Sequence, residues 1–167
     1  MYAMYTLSDS AREHALRHFE GSDMVGSLFH AGVFPDPVSV VECIQSLTPG
    51  HVYVQPDGIE SHVFTFENGA SVGTTALALR SSVPVESIRK EVRGGFAVDV
   101  AQVDALAETQ VWCVVVRKRS DDFEIVTMFP GNYALPFPTK AQDPAFRRMC
   151  EEFWSKHVLL SKSTENA

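Results

Sequence analysis

Val111-Trp-Cys-Val-Val-Val116 and Phe123-Glu-Ile-Val-Thr-Met-Phe129, joined by the polar Lys118-Arg-Ser-Asp-Asp122, are the stretch on which the fold turns. Both runs are rich in β-branched and aromatic residues, and the turn chemistry between them predicts a hairpin. The near-continuous apolar run at 111–116 predicts a central strand covered on both faces. Pro130-Gly131 ends the second strand.

Upstream of this hairpin, two further strands are expected. His51-Val-Tyr-Val-Gln55 stops at Pro56-Asp-Gly58, a turn tripeptide that fixes φ and then frees it. His62-Val-Phe-Thr-Phe66 ends at Glu67-Asn-Gly69, and Asn-Gly is a strong hairpin signal. With Val72 to Leu79 as a returning strand, residues 51–79 read as a three-strand meander.

The first fifty residues read as helical. Ser10-Ala-Arg-Glu13 has the form of a capping box, and Ala11, Ala15, Leu16 and Phe19 share one helical face. A second helix is expected after Ser22, burying Val25, Leu28 and Phe29. A third starts at Asp36-Pro37, an N-cap followed by proline in the first turn, with Val40, Val41, Ile44 and Leu47 on one face. Between the sheets, 84–92 reads as a short helix, Phe96 to Val100 as a strand, and Ala101 to Thr109 as a loop or helical turn. A last helix from about Pro144 to His157 buries Phe146, Met149, Cys150, Phe153 and Trp154. Ser161 onward reads as a frayed tail. The expected class is therefore α+β: N-terminal helices followed by a twisted antiparallel β-sheet and a C-terminal helix, with 1–160 as a single domain and 161–167 as tail.

The 167 residues suffice for a buried core, and 45% hydrophobic with 21% charged residues is ordinary globular usage. No apolar run reaches bilayer-spanning length, and no basic region followed by an apolar stretch opens the chain, so a cytoplasmic location and no membrane partner are expected. Cys43, Cys113 and Cys150 are odd in number and widely spaced, with no CxxC pair, so each reads as a small buried hydrophobe rather than a disulfide, zinc ligand or nucleophile. His14 and His18 have the i,i+4 spacing of a metal pair, but the intervening glutamate of H-E-x-x-H is missing and no third ligand is evident. Gly94-Gly95 reads as a turn rather than a nucleotide loop. No cofactor motif is found, so neither a cofactor nor a metal is expected.

The formal charge of −7 argues against general phosphate binding, although Arg and Lys cluster at 80–93, 117–119 and 147–148. Candidate chemistry lies in His30, His62, Arg80, Arg89, Lys90, Arg93, Thr127 and His157. Imidazole, guanidinium and hydroxyl groups suit metal-independent RNA cleavage, which needs a base for the 2′-hydroxyl, an acid for the 5′-oxygen and cations for the phosphate. Each also has a structural role to fill: a helix C-terminal histidine is favoured by the dipole, and threonine is a normal strand residue.

The order of elements, together with the late strand Glu124-Ile-Val-Thr-Met-Phe-Pro-Gly131 and its Thr127-Met-Phe-Pro130, resembles the barnase/EndoU/RelE-type RNase domains, many of them bacterial toxins or phage-associated. The resemblance implies a small metal-independent RNase-like domain acting on RNA at a local basic cleft. It places His30 or His62 as base, Arg80 or Arg93 as phosphate contact, and Thr127 as substrate or phosphate contact. The acidic balance departs from the basic members of that group. The alternative is a non-enzymatic acidic protein-binding module (an inhibitor, immunity or phage accessory protein) that docks on a basic protein partner, with Tyr133, Leu135 and Phe137 of the Pro-rich loop as contact anchors. A housekeeping enzyme comes third.

Overall fold

The structure, a computed structural model, describes residues 4–19, 27–67 and 69–162. These fall into two compact units, the first covering Met1–Thr74 and Glu108–Tyr133, the second Thr75–Ala107 and Ala134–Ala167.

Unit 1 is built on a five-stranded sheet in the order β1-β10-β9-β3-β2. Its strands are β1 (Met4–Thr6), β2 (His51–Val54), β3 (Ile59–Thr65), β9 (Val111–Arg119) and β10 (Asp122–Pro130). The hairpin of β9 and β10 is the one its sequence predicts, and β9 lies in the middle of the sheet with Trp112, Cys113 and Val114 fully buried. The β2–β3 hairpin also forms. Gly58 closes its turn with φ +87°, the Gly58 N–H donates to the Gln55 carbonyl, and the Gln55 N–H reaches Ile59 O at 2.9 Å. One face of the sheet carries the core: Phe64, Trp112, Val114, Val116, Ile125 and Met128 pack with Phe29, Phe34, Val40 and Ile44.

Two short helices accompany this sheet, α1 (Asp9–Ala15) and α2 (Pro37–Ile44). Ser8, two residues before the expected Ser10, caps α1 by accepting from Ala11 N–H at 3.1 Å. Asp36 caps α2 in a reciprocal box with Ser39, and Pro37 occupies the first turn, where its missing N–H costs nothing. Just beyond α2, the Gln45 side chain lies against β1. Its Oε1 accepts from Tyr5 N–H at 3.0 Å and its Nε2 donates to Tyr5 O at 2.9 Å.

Unit 2 holds a four-stranded sheet, β5-β11-β7-β6, of β5 (Leu77–Leu79), β6 (Ile88–Arg93), β7 (Phe96–Val103) and β11 (His157–Lys162). Helix α3 (Pro144–Lys156) precedes β11 and is capped by Asp143. Val98, Val100 and Trp154 form one apolar cluster with Phe96 and Phe137, and the Trp154 indole donates to the carbonyls of Leu135 and Pro136. A two-stranded pair, β4 (Gly73–Thr75) with β8 (Ala107–Thr109), lies where the chain passes from one unit to the other. A Cβ at Gly73 would collide with the Leu28 carbonyl and lie 2.9 Å from Pro130 Cβ, so only glycine fits that crossing.

The expected α+β order of N-terminal helices, then an antiparallel sheet, then a C-terminal helix is overturned. Strand outweighs helix, 42% to 26%. A strand precedes α1, a strand follows α3, and both larger sheets are mixed: β1 runs parallel to β10, and β11 parallel to β7. Of the segment 84–92 only Val85–Ser87 is helical, a single 3-10 turn, and the rest, from Ile88, is strand. Gly94 and Gly95, at φ +57° and +77°, fold it back as β6 onto β7, so cross-strand pairing overrides the i,i+4 spacing of Ile88 and Val92. The segment 101–109 is largely strand, because β7 continues to Val103 and β8 begins at Ala107. Residues 157–162 are strand rather than fraying end, with Val158 and Leu160 buried in alternation; 163–167 lie outside the described residues. The returning strand at 72–79 is broken into β4 and β5, and the second neighbour of β3 is β9. Of the second helix expected from after Ser22 to near Gly32, the part up to 26 lies outside the described residues, and 27–32 are not helical; Phe29 instead makes isolated bridges to Phe19 and Gly73. Among the described residues no helix is long and apolar enough to cross a membrane.

Candidate functional site

Of the residues singled out from sequence, His30, His62 and Thr127 lie in unit 1, and Arg80 and Arg93 in unit 2.

His62 is buried on β3 at 2% exposure. Its Nδ1 lies 2.6 Å from the Tyr5 hydroxyl and its Nε2 lies 2.9 Å from Glu60 Oε1. Because an ionised carboxylate only accepts, Nε2–H donates to Glu60 and Nδ1 accepts the Tyr5 proton. Burial, with the Glu60 charge adding, pushes the Tyr5 phenol up to about 12, so the hydroxyl keeps its proton and remains a donor. Tyr5 and Phe123 enclose the imidazole edge-on. This chain of three polar groups holds the core face of β1 to β3 and offers no open approach to a substrate.

His30 stands differently. Its Nε2 donates to Glu108 Oε2 at 2.7 Å, and the Ser71 hydroxyl donates to the same oxygen at 2.7 Å. These two hydrogen bonds hold the Glu108 carboxyl below its usual range. The imidazole is about one-third exposed and the carboxylate more than half exposed. A carboxylate that orients an accessible imidazole is the elementary unit of general acid–base chemistry. Neither Glu108 nor Ser71 was singled out from sequence. Ser71 lies just before β4 and Glu108 is the middle residue of β8, and strands of three residues give no local periodicity to mark them.

Thr127 sits in β10 where the register to β9 shifts between Ile125 and Thr127. Its hydroxyl is buried and, like the Trp112 indole N–H, has no hydrogen-bond partner among the described residues. The Thr127-Met-Phe-Pro130 segment is therefore interior strand, with Met128 in the core.

In unit 2, Arg80, Arg89, Lys90 and Arg93 each pair with a carboxylate. Asp99, buried on β7, pairs with Arg80 and, at 2.8 Å, with Lys90 Nζ. Arg93 and Arg89 both reach Glu91, at 3.2 and 3.1 Å, and together hold its carboxyl below the usual range. His157 stacks on Phe153 with ring centroids 3.9 Å apart, and its Nδ1 donates to the Phe153 carbonyl.

The remaining candidates resolve simply. His14 belongs to α1, while His18 turns inward and donates from Nδ1 to the Ser27 carbonyl at 2.9 Å, with burial lowering its basicity. Among the described residues no three His, Cys, Asp or Glu side chains converge on one point. Cys113 is wholly buried and its thiol is pushed up to about 12. Of the loop aromatics, Tyr133 stacks on Tyr53 with centroids 4.5 Å apart, and Phe137 packs between Phe96 and Trp154. An open recess of about 340 Å³ lies over α1, β9 and β10, lined in part by Ser10, His14, Arg117 and Glu124.

Charge divides unevenly between the units. By sequence, unit 1 holds 13 Asp and Glu against 5 Lys and Arg, a formal −8; unit 2 holds 8 against 9, a formal +1, and together they make the −7 of the chain. The chain matches no protein-family model, no curated protein and no solved structure.

Proposed function

We propose that this protein is an acidic protein-binding module whose first unit docks a basic segment of a partner protein, in the manner of an inhibitor, immunity or accessory protein. The concentration of the chain's negative charge on that unit carries the reading. A field of that sign draws in a cationic partner and raises its association rate, whereas it repels a polyanion. In unit 2, Arg80, Lys90, Arg89, Arg93 and Lys156 are each paired with a carboxylate, and the unit's formal +1 offers RNA only a weak attraction. The test is calorimetric titration with two octapeptides, one alternating valine and lysine and one alternating valine and glutamate, at low and at physiological salt. The lysine peptide binds, more weakly as salt rises, and the glutamate peptide does not. Equal behaviour of the two peptides overturns the reading.

The His30–Glu108 pair favours a second reading, a metal-independent RNase-like domain, since its imidazole is accessible and carboxylate-oriented. On that reading total RNA is cleaved in EDTA, and both His30→Ala and Glu108→Gln abolish cleavage in folded protein. RNA left intact by the wild type removes it.

A further inference from the structure

The five-stranded sheet of unit 1 has two edges, and they are finished differently. At β1 the Gln45 amide supplies one acceptor and one donor to Tyr5, as a neighbouring strand would. At β2 nothing comparable is found among the described residues. The register of β2 on β3, with Gln55 N–H on Ile59 O, makes Tyr53 and His51 the residues that face β3 with their main-chain groups. By alternation, the N–H and C=O groups of Val52 and Val54 point away from the sheet. Pro56, at the next outward position, has no N–H and ends this row.

The side chains of this edge are also unfinished. Val52 and Val54 lie on the same sheet face as His62 and Phe64, the core face, yet are 45% and 65% exposed. On the other face Tyr53, 38% exposed, is braced against Tyr133. Sheet edges in folded proteins are ordinarily protected by charge, proline, bulges or brevity. The edge strand β6 of unit 2 follows that rule with Arg89, Lys90, Glu91 and Arg93. β2, reading His-Val-Tyr-Val, carries no Lys, Arg, Asp or Glu, and only its four-residue length and the following Pro56 limit it.

We infer that the partner's basic segment docks by adding to β2 as a sixth strand of this sheet. The inference rests on the acidic-docking reading and names the place and mode of that docking. Main-chain bonds to Val52 and Val54 hold the segment, and its alternate side chains meet two different faces. Apolar residues cover Val52 and Val54, and the intervening Lys or Arg side chains extend over the Tyr53 face, where the aromatic ring attracts a cation. The occupant is a foreign basic strand rather than a second copy, because two units of formal charge −8 repel one another.

The test is fluorescence anisotropy of a labelled octapeptide alternating valine and lysine, titrated with wild type, Val54→Thr and Val54→Pro. Proline at 54 removes an outward N–H and leaves the β2–β3 bonds intact. Val54→Pro weakens binding by about tenfold or more, a loss of about 1.4 kcal/mol, while Val54→Thr stays within about threefold of wild type. A second arm, which needs no variant to fold, uses the same peptide N-methylated at alternate residues; wild type binds one of the two methylation registers at least about tenfold more weakly. If Val54→Pro and both methylated peptides bind as the parents do, strand addition at β2 is wrong while acidic docking stands. If wild type does not bind the unmodified peptide, the docking reading and this inference fall together.

Discussion

The Gln45 side chain holds both main-chain polar groups of Tyr5, accepting from its N–H at 3.0 Å and donating to its carbonyl at 2.9 Å. The residue just past α2 thereby stands in for a neighbouring strand at the edge of the sheet, and adds a polar link between helix and sheet to the packing of Val40 and Ile44. Gln45→Ala leaves two part-buried main-chain groups without protein partners and destabilises the protein by about 1–2 kcal/mol in urea unfolding. Amide exchange at Tyr5 accelerates in the same variant. Unchanged stability and unchanged exchange would show that the amide does not close this edge.

Tyr5→Phe removes the donor to His62 Nδ1 and leaves a buried acceptor unpaired, at a cost of about 1–3 kcal/mol. The same residue sets an alkaline limit. The folded phenol titrates at about 12 against an ordinary 10.0, so between those values the unfolded chain loses its proton first. Tyr5 stabilisation is complete below pH 10 and is lost as pH rises towards 12. A pH series of urea midpoints over that window shows a fall that Tyr5→Phe lacks; equal falls in both proteins would contradict the assignment.

Arg80→Ala leaves the buried Asp99 carboxylate with Lys90 alone and lowers stability by about 1–3 kcal/mol. Lys90→Ala has a similar effect, and the double variant costs more than the sum, because Asp99 then has neither cation. Simple additivity in thermal melts would mean that the two pairs act independently.

Thr127→Val keeps the side-chain shape and removes a buried hydroxyl that has no partner among the described residues. Stability is unchanged or rises by up to about 1 kcal/mol. A clear loss would show that the hydroxyl has a hydrogen-bond partner within the folded protein.

The parts of the fold that are readable in sequence are those whose chemistry is local. Asp36-Pro37 starts α2 because cap and first turn are adjacent in the chain. Pro56-Asp-Gly58 makes its turn because one residue there must adopt positive φ. The run 111–116 is central because no polar residue interrupts it. What escapes is set by distant partners. Residues 88–93 and 157–162 are strands because β7 lies between them, each pairing with it on one side. β1 is three residues long and is defined by pairing with β10 more than a hundred residues away. The candidate site follows the same logic. Glu60 and His62, two apart on a strand, were bound to share a face, and that period was available to sequence reasoning. Ser71 and Glu108 meet across 37 positions, and no spacing rule connects them. The partition of charge was countable only once the unit boundaries were known.

The most direct measurement is residue-resolved amide exchange across β2, with and without the alternating valine–lysine octapeptide. In the free protein the Val52 and Val54 amides exchange rapidly while those of Tyr53 and Gln55 are protected by β3. With peptide bound, protection at Val52 and Val54 rises to match their neighbours. Saturation with peptide that leaves Val52 and Val54 exchanging as fast as before would contradict the account.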